Sequence, residues 1–236
     1  MLALARRGGN CLDDWQRSLV PPVSANLIPT PWANGPKRVF DLVGAVLMLV
    51  LLSPVLVLSA LAVKLTSQGS VFFRQRRIGR GGAAFEVVKF RTMRAARTPD
   101  PKELVPLNHP DITVIGFFLR RCKFDELPQL FNVLTGEMSL VGPRPTLPDQ
   151  AAAYTEFQRQ RLLVRPGVTG LAQVYGSARM PWDERIQYDV AYVQRCGLML
   201  DLWILLRSPW VALVGEERTQ RAFASSRFAD RKANTA

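Results

Sequence analysis

Two adjacent carboxylates, Asp125 and Glu126, stand at the head of the stretch Lys123-Phe124-Asp125-Glu126-Leu127-Pro128-Gln129-Leu130-Phe131-Asn132-Val133-Leu134-Thr135-Gly136. Leu127, Leu130, Phe131 and Leu134 fall at i, i+3, i+4 and i+7, which predicts one apolar helical face ending near Gly136, a residue suited to a C-terminal cap. Asp125 just ahead of that face reads as the N-cap, and Pro128 in the first turn removes a donor that has no intrahelical partner. A helix start offers unpaired N–H groups and a positive dipole end, which favour an ionised carboxylate and attract phosphate. The position suits a nucleophile and a phosphate together. The plainer alternative is that Asp125 only caps a helix and Glu126 is a first-turn acid. Downstream, Pro143 and Pro145 fix the backbone on either side of Arg144, whose planar fork suits bidentate phosphate contact; an exposed turn is the other reading.

Other chemistries are poorly supplied. The single histidine, His109, sits in a Pro- and Asn-containing loop and argues against a Ser-His-Asp triad or a His-rich metal site. Cys11, Cys122 and Cys196 lie far apart with no CxxC pair, so neither a disulfide framework nor a zinc site is indicated, and a reducing compartment is expected. A metal would be held by oxygen, which favours Mg²⁺. With 31 Lys and Arg against 19 Asp and Glu, the net charge of +12 implies an anionic partner: nucleic acid, an acidic membrane surface or phosphorylated substrates.

The elements that must position these groups can be read in order. Residues 1–36 mix charges and five prolines without periodicity and read as a mobile N-terminal arm, with no apolar region adequate for a signal peptide. Leu42 to Val63 is free of charge over 22 residues, long enough at about 1.5 Å per residue to cross a core of roughly 30 Å. Ser53-Pro54 interrupts its centre, and both flanks are basic: Lys37 and Arg38 before, Lys64, Arg74, Arg76, Arg77 and Arg80 after. Basic flanks prefer the cytoplasm, so the expectation is a re-entrant segment over residues 37–66 that turns back at Ser53 and Pro54; an ordinary kinked span is the alternative. Val71-Phe72-Phe73 and Phe85 to Phe90 read as strands of a hairpin around the basic, Gly-rich turn 76–82, itself a solvated loop facing anionic head groups. Residues 95–110 are a polar loop. Ala151 to Leu163 is predicted as a helix, Leu171 to Val174 as a strand and Trp182 to Gln194 as a helix. Leu198 to Val214 is apolar apart from Asp201 and Arg207, a helix at a membrane interface or packed on the core. Residues 216–236 read as a polar tail, leaving 67–215 as the catalytic region.

In this order, Lys37-Arg38-Val39-Phe40-Asp41, the apolar run broken at Ser53-Pro54, Phe73-Arg74-Gln75, Lys89-Phe90-Arg91-Thr92-Met93, Asp125-Glu126-Leu127-Pro128-Gln129-Leu130, Gly142-Pro143-Arg144-Pro145 and Pro166-Gly167-Val168-Thr169-Gly170 resemble the bacterial sugar transferase family, the monotopic polyprenyl-phosphate phosphoglycosyl transferases. The likeness covers about residues 37 to 215 and looks like the family's short form. It implies transfer of a phosphosugar from a UDP-sugar to undecaprenyl phosphate at the cytoplasmic face of the bacterial inner membrane, with release of UMP, as the first step of a surface polysaccharide or glycoconjugate. By motif match Asp125 would be the nucleophile, forming a covalent aspartyl-phosphosugar, and Glu126 its partner in Mg²⁺ binding or proton handling. Arg144 between Pro143 and Pro145, with Lys89, Arg91 and Arg165, would contact substrate. Many relatives carry an Arg where Ser177 stands here; Arg179 is the candidate replacement.

The fold expected is α+β and mostly helical, a monotopic membrane protein with a re-entrant helix-turn-helix, interfacial amphipathic helices and a small β-hairpin or sheet. Membrane lipids are expected as partners and a homo-oligomer is allowed. A non-catalytic basic adaptor that presents partners to a lipid surface is the rival, and it has no need of the Asp125-Glu126 pair. No nucleic acid is expected, because the apolar run does not suit such a binder and aromatic residues are not interleaved with the basic ones.

Overall fold

The computed structural model of the protein describes residues 29–94, 105–176 and 180–229. In chain order they form α1 (Pro31–Asn34), α2 (Pro36–Thr66), β1 (Phe72–Ile78), β2 (Ala84–Phe90), α3 (Val114–Arg121), α4 (Gln129–Thr135), β3 (Ser139–Val141), α5 (Pro148–Ala152), α6 (Glu156–Arg159), β4 (Gly167–Thr169), α7 (Leu171–Val174), α8 (Trp182–Arg195), α9 (Leu198–Val214) and α10 (Glu216–Thr219). Most of the expected N-terminal arm, residues 1–28, lies outside the described residues, as does most of the expected polar loop. The protein is mostly helical with two small sheets. β1 and β2 make the expected antiparallel hairpin, Phe72 opposite Phe90, and β3 pairs in parallel with β4.

In place of the expected helix-turn-helix, α2 is a single helix of 31 residues with Pro54 in its interior, long and apolar enough to cross a membrane by length and composition. Proline at 54 removes the N–H that would bond the carbonyl four residues back, at Val50. The Ser53 hydroxyl donates to that carbonyl at 2.8 Å, so the helix passes the proline without an unsatisfied acceptor. Both ends of α2 dock on the globular part. Near the start, Arg38 donates from Nη1 to Val133 O at 2.6 Å and from Nη2 to Leu134 O at 2.9 Å, closing the exposed carbonyls at the end of α4. Asp41 accepts from Ser139 Oγ and Leu140 N on β3. Toward the other end, Val63 packs with Phe90 of β2 and Leu119 of α3, and Arg91 donates to Ser67 O at 2.8 Å. The middle of the helix touches little: Val50, Leu51, Val57 and Leu58 are all more than half exposed.

Beneath α2 lies the main core, built on Tyr188 and Tyr192 of α8, Ile204 of α9, Val133 of α4 and the strands β3 and β4. Lys37, Trp32 and Tyr192 all donate to the buried Asp201 carboxylate, at 2.5, 2.8 and 2.7 Å, tying the base of α2 to α8 and α9. The charge that interrupts the apolar 198–214 run is thus satisfied inside the core. α9 both packs and exposes: Asp201, Ile204 and Val211 are buried, while Met199, Leu206, Trp210 and Leu213 form an exposed stripe.

Three local expectations are corrected. Residues 151–163 break at Ala153-Tyr154, because Thr155 starts a new helix through a capping box with Gln158. Leu171 to Val174 is a helical turn rather than a strand, and the strand is the preceding Gly167–Thr169. Beyond Gly215 the described residues fold back, with Phe223 against Tyr188 and Phe228 against Tyr175.

Candidate active site

Asp125 does not cap the helix that follows it. α3 is capped by Thr113, whose hydroxyl accepts from Gly116 N, and it ends at Cys122. Lys123 then takes φ 59°, the single non-glycine residue with positive φ among the described residues. That left-handed step, uncommon for a lysine, turns the chain into a 3₁₀ turn at Phe124–Glu126, and α4 begins at Gln129 without a side-chain cap. The carboxylates therefore sit on a tight bend between two helices. The buried face of α4 is also rotated from the one its leucines suggest: Gln129, Leu130, Asn132 and Val133 are buried, and Phe131 is half-exposed. Asn132 explains the rotation, since it accepts from Val88 N and donates to Glu86 O, fastening α4 to β2. Gly136 at φ 90° caps the end as expected.

Glu126 is held by two cations. Lys89 Nζ, from β2, donates to its Oε1 at 2.6 Å, and Arg144 Nη2 donates to the same oxygen at 2.7 Å, with Nη1 at 3.4 Å from Oε2. Burial alone would raise the Glu126 carboxyl, but Arg144 and Lys89 overcome it and hold it well below the usual range. Asp125 is the opposite case. Its carboxylate makes no hydrogen bond or ion pair among the described residues. Burial and then the Glu126 charge push its pKa up to about 6, against Lys89, Arg120 and Lys123 pulling down. Two neighbouring carboxyls are thereby driven apart, one fixed as an anion and one poised near neutrality with a free pair of oxygens, the pattern of a reacting group beside a structural one.

The expected site residues sort into three groups. Lys89, Arg144, Asp125 and Glu126 come together, and Pro143 and Pro145 frame Arg144. Gly142 and Gly167 let the loops carrying these prolines and Pro166 press together: a Cβ on Gly167 would lie 2.1 Å from Gly142 N. Arg91 and Arg165 serve the scaffold, the first on Ser67 and the second donating from Nε to Gly136 O at 2.8 Å. Arg179 lies outside the described residues. Three cations escaped the sequence reading. Arg77, taken there as part of a solvated loop, is half-buried at the end of β1, its pKa lowered to about 10 by burial and then by Arg144. Strand alternation from Phe73 through Gln75 to Arg77 would have put it on the inner face. Arg120, in the last turn of α3, and Lys123 act on Asp125 through their charge. Five cationic side chains thus surround two carboxylates, a surplus suited to a diphosphate.

Among the described residues no three His, Cys, Asp or Glu side chains converge, so a metal here must share its shell with oxygens from a substrate. The uncommitted Asp125 carboxylate fits such a partial site. Glu126 Oε1 is occupied by Lys89 and Arg144, so the oxygen it would offer a metal is Oε2, 3.4 Å from Arg144 Nη1.

Comparison with known proteins places the chain in a family. Residues 32–215 match the profile of the bacterial sugar transferase family. EpsL of Bacillus subtilis, an uncharacterized sugar transferase, is 41% identical over 180 residues, 76% of this chain and 88% of its own. The UDP-glucose:undecaprenyl-phosphate glucose-1-phosphate transferase of Escherichia coli is 40% identical over 192 residues, 76% of this chain and 40% of its own. The UDP-N-acetylgalactosamine-undecaprenyl-phosphate N-acetylgalactosaminephosphotransferase of Aeromonas hydrophila is 37% identical over 196 residues, 80% and 46%. The chain spans less than half the length of the latter two.

Proposed function

Because the chain belongs to the bacterial sugar transferase family, an enzyme family, we propose that it transfers a sugar 1-phosphate from a UDP-sugar to undecaprenyl phosphate and so starts the assembly of a surface polysaccharide or glycoconjugate. The observation that carries this reading is the Asp125 carboxylate, without a hydrogen-bond partner among the described residues, inside a ring of cations and beside a Glu126 that those cations already neutralise. In the first half-reaction an Asp125 oxygen attacks the phosphorus that bears the sugar, and the bond from that phosphorus to the bridging oxygen breaks, so UMP leaves with the electron pair. In the second, an oxygen of the acceptor phosphate attacks the same phosphorus and returns Asp125 as a free carboxylate. Splitting the transfer in two lets one site serve two phosphate partners in turn. Arg144 and Lys89, steadied by Glu126, orient the donor phosphates, with Arg77 and Arg120 adding positive charge. Asp125 would hold Mg²⁺ together with phosphate oxygens, and the ion, when bound, offsets charge between nucleophile and diphosphate.

Membranes containing the protein, given undecaprenyl phosphate and a panel of UDP-sugars, should release UMP with one donor or a few. Without acceptor, intact-mass analysis of the purified protein should show an added phosphosugar. Release of UDP or free sugar in place of UMP would sink the reading. The relatives act on glucose and on N-acetylgalactosamine by name, so the panel needs both.

The proposal extends to topology: α2 enters the bilayer from the cytoplasmic face and returns to it, while the exposed stripe of α9 lies along the same surface. Ten large apolar side chains of α2 are more than half exposed or close to it. Full burial of such a side chain gains about 1.5–3 kcal/mol, so covering the exposed part of all ten gains on the order of 10–20 kcal/mol, comparable with the roughly 5–15 kcal/mol of a domain's net stability, which supports a lipid cover. Arg38 and Ser67, at the two ends, are bonded to the same globular body, which supports a return to one face. In a background with Cys11, Cys122 and Cys196 changed to Ser, Asn34→Cys and Ser70→Cys should both be shielded from an impermeant thiol reagent in intact cells and both react once the membrane is opened. Labelling of position 34 alone from outside would establish a full span.

A further inference from the structure

The carbonyls of Pro143, Arg144 and Pro145 are each taken by a different donor. Gly167 N bonds to Pro143 O at 2.9 Å, Arg161 Nη2 to Arg144 O at 2.9 Å and Arg77 Nη1 to Pro145 O at 3.3 Å. Two of these three residues are prolines with no N–H of their own, so the loop depends on outside donors to its carbonyls.

Arg161 is the more deeply buried of the two side-chain donors, its side chain 2% exposed, and it is itself fixed on several sides. Asp189 of α8 pairs with Nη2 at 2.5 Å, Tyr154 OH accepts from Nη1 at 2.6 Å, and the Trp182 ring lies 5.6 Å from the guanidinium carbon. Tyr154 in turn donates to Thr146 Oγ1 at 2.7 Å, one residue past the loop. Among the described residues, no hydrogen bond or ion pair joins Arg161 to Asp125 or Glu126. A buried guanidinium–carboxylate pair adds little net stability, because desolvation offsets most of its attraction, and apolar side chains of similar volume often do as well. An apolar side chain could not donate to Arg144 O.

We infer that Arg161 and Asp189 are positioning residues, a buried clamp that aims Arg144 at Glu126 and at the donor phosphate from behind the Pro143-Arg144-Pro145 loop. The inference rests on the transferase reading for its kinetic readout. The fork of Arg161 reaches Asp189, Tyr154 and Arg144 O at once; a lysine keeps the charge that Asp189 needs but offers a single nitrogen.

Arg161→Lys should lower kcat/KM for the UDP-sugar about 100-fold, chiefly in kcat, which is what a displacement of about 1 Å at a positioned group can cost. In an Arg144→Ala background the same substitution should cost less than about threefold, because no guanidinium is left to aim. Equal losses in the two backgrounds, or unchanged kinetics in the folded variant, overturn the inference. If Arg161→Lys does not fold, Tyr154→Phe decides the matter, since it removes one anchor of Arg161 and leaves the ion pair whole: a loss of about fivefold that vanishes beside Arg144→Ala supports the clamp, and an additive or absent loss rejects it. Should no UDP-sugar be a substrate, the transferase reading falls and amide exchange at Gly167 still tests the clamp. Faster exchange in the variant supports it, and unchanged exchange overturns it.

Discussion

Asp125→Asn should abolish transfer and leave the protein more resistant to heat. The loss follows from chemistry: an amide oxygen is a far weaker nucleophile than a carboxylate, and removal of a covalent nucleophile costs on the order of 10⁴-fold or more in kcat. The gain follows from electrostatics. A carboxyl raised from 3.8 to about 6 is one whose ionised form the folded site disfavours, by on the order of 2–3 kcal/mol at neutral pH. That penalty is present above pH 6 and disappears as the pH falls through 6 toward 4, where Asp125 takes up a proton. The Asn variant never bears it. Its melting temperature at pH 7.5 should exceed that of the wild type by about 5 °C, with the difference shrinking at pH 4.5. Asp125 makes no hydrogen bond among the described residues, so the swap breaks no contact there. Substantial UMP release by the Asn variant would show that another group attacks. A lower melting temperature would mean that the cations around Asp125 outweigh its burial.

Glu126→Gln should have the second largest effect and shift the pH dependence in a direction opposite to simple damage. In the wild type the acid limb of kcat/KM should fall near pH 6, with activity dropping about tenfold per unit below it as Asp125 protonates. Burial is the first cause of that raised value and the Glu126 charge the second. Gln removes the second cause and frees Lys89 and Arg144 to act on Asp125, so the limb should move down toward the ordinary carboxylate range near 4. At pH 8 the rate should fall about 100-fold, because both cations lose the anchor that orients them. A limb that stays at 6, measured at fixed Mg²⁺ and over the donor concentration range, would mean that the titrating group is not Asp125.

Much of this site was legible in the order of residues, and the parts that were not have physical causes. Ordered motifs pointed to Asp125, Glu126, Lys89 and Arg144, and these do meet. Propensity pointed to an N-cap at Asp125, and the chain instead takes a left-handed step at Lys123, a conformation that no lysine propensity announces. Arg91 and Arg165 look like substrate contacts in sequence because they lie in or beside motifs, yet the first bonds to the carbonyl and hydroxyl of Ser67 and the second to the carbonyl of Gly136, partners that no sequence pattern announces. Arg161 and Asp189 are 28 residues apart, and nothing local ties them to Arg144. The Ser53 bond to Val50, by contrast, could be foreseen from the Ser-Pro pair alone, since proline fixes which acceptor is left over.

The docking of Lys37 on Asp201 bridges 164 residues, and Trp32 and Thr30 make similar leaps to Asp201 and Cys196. At about 5–20 residues per second, a ribosome needs roughly 7–27 s to proceed from the end of α2 to Asp201. During that interval the apolar helix is already outside the tunnel, and the lysine at its base has no carboxylate to meet. On the topology proposed above, lipid covers the helix during that interval and the long-range closure comes last, the slow order that high contact separation imposes on any fold. On that topology, folding has a late closure step distinct from membrane insertion. Asp201→Ala, which removes the carboxylate that Lys37, Trp32 and Tyr192 all reach, should act at that step, and the expected signature is a shortened lifetime in pulse-chase with membrane association unchanged.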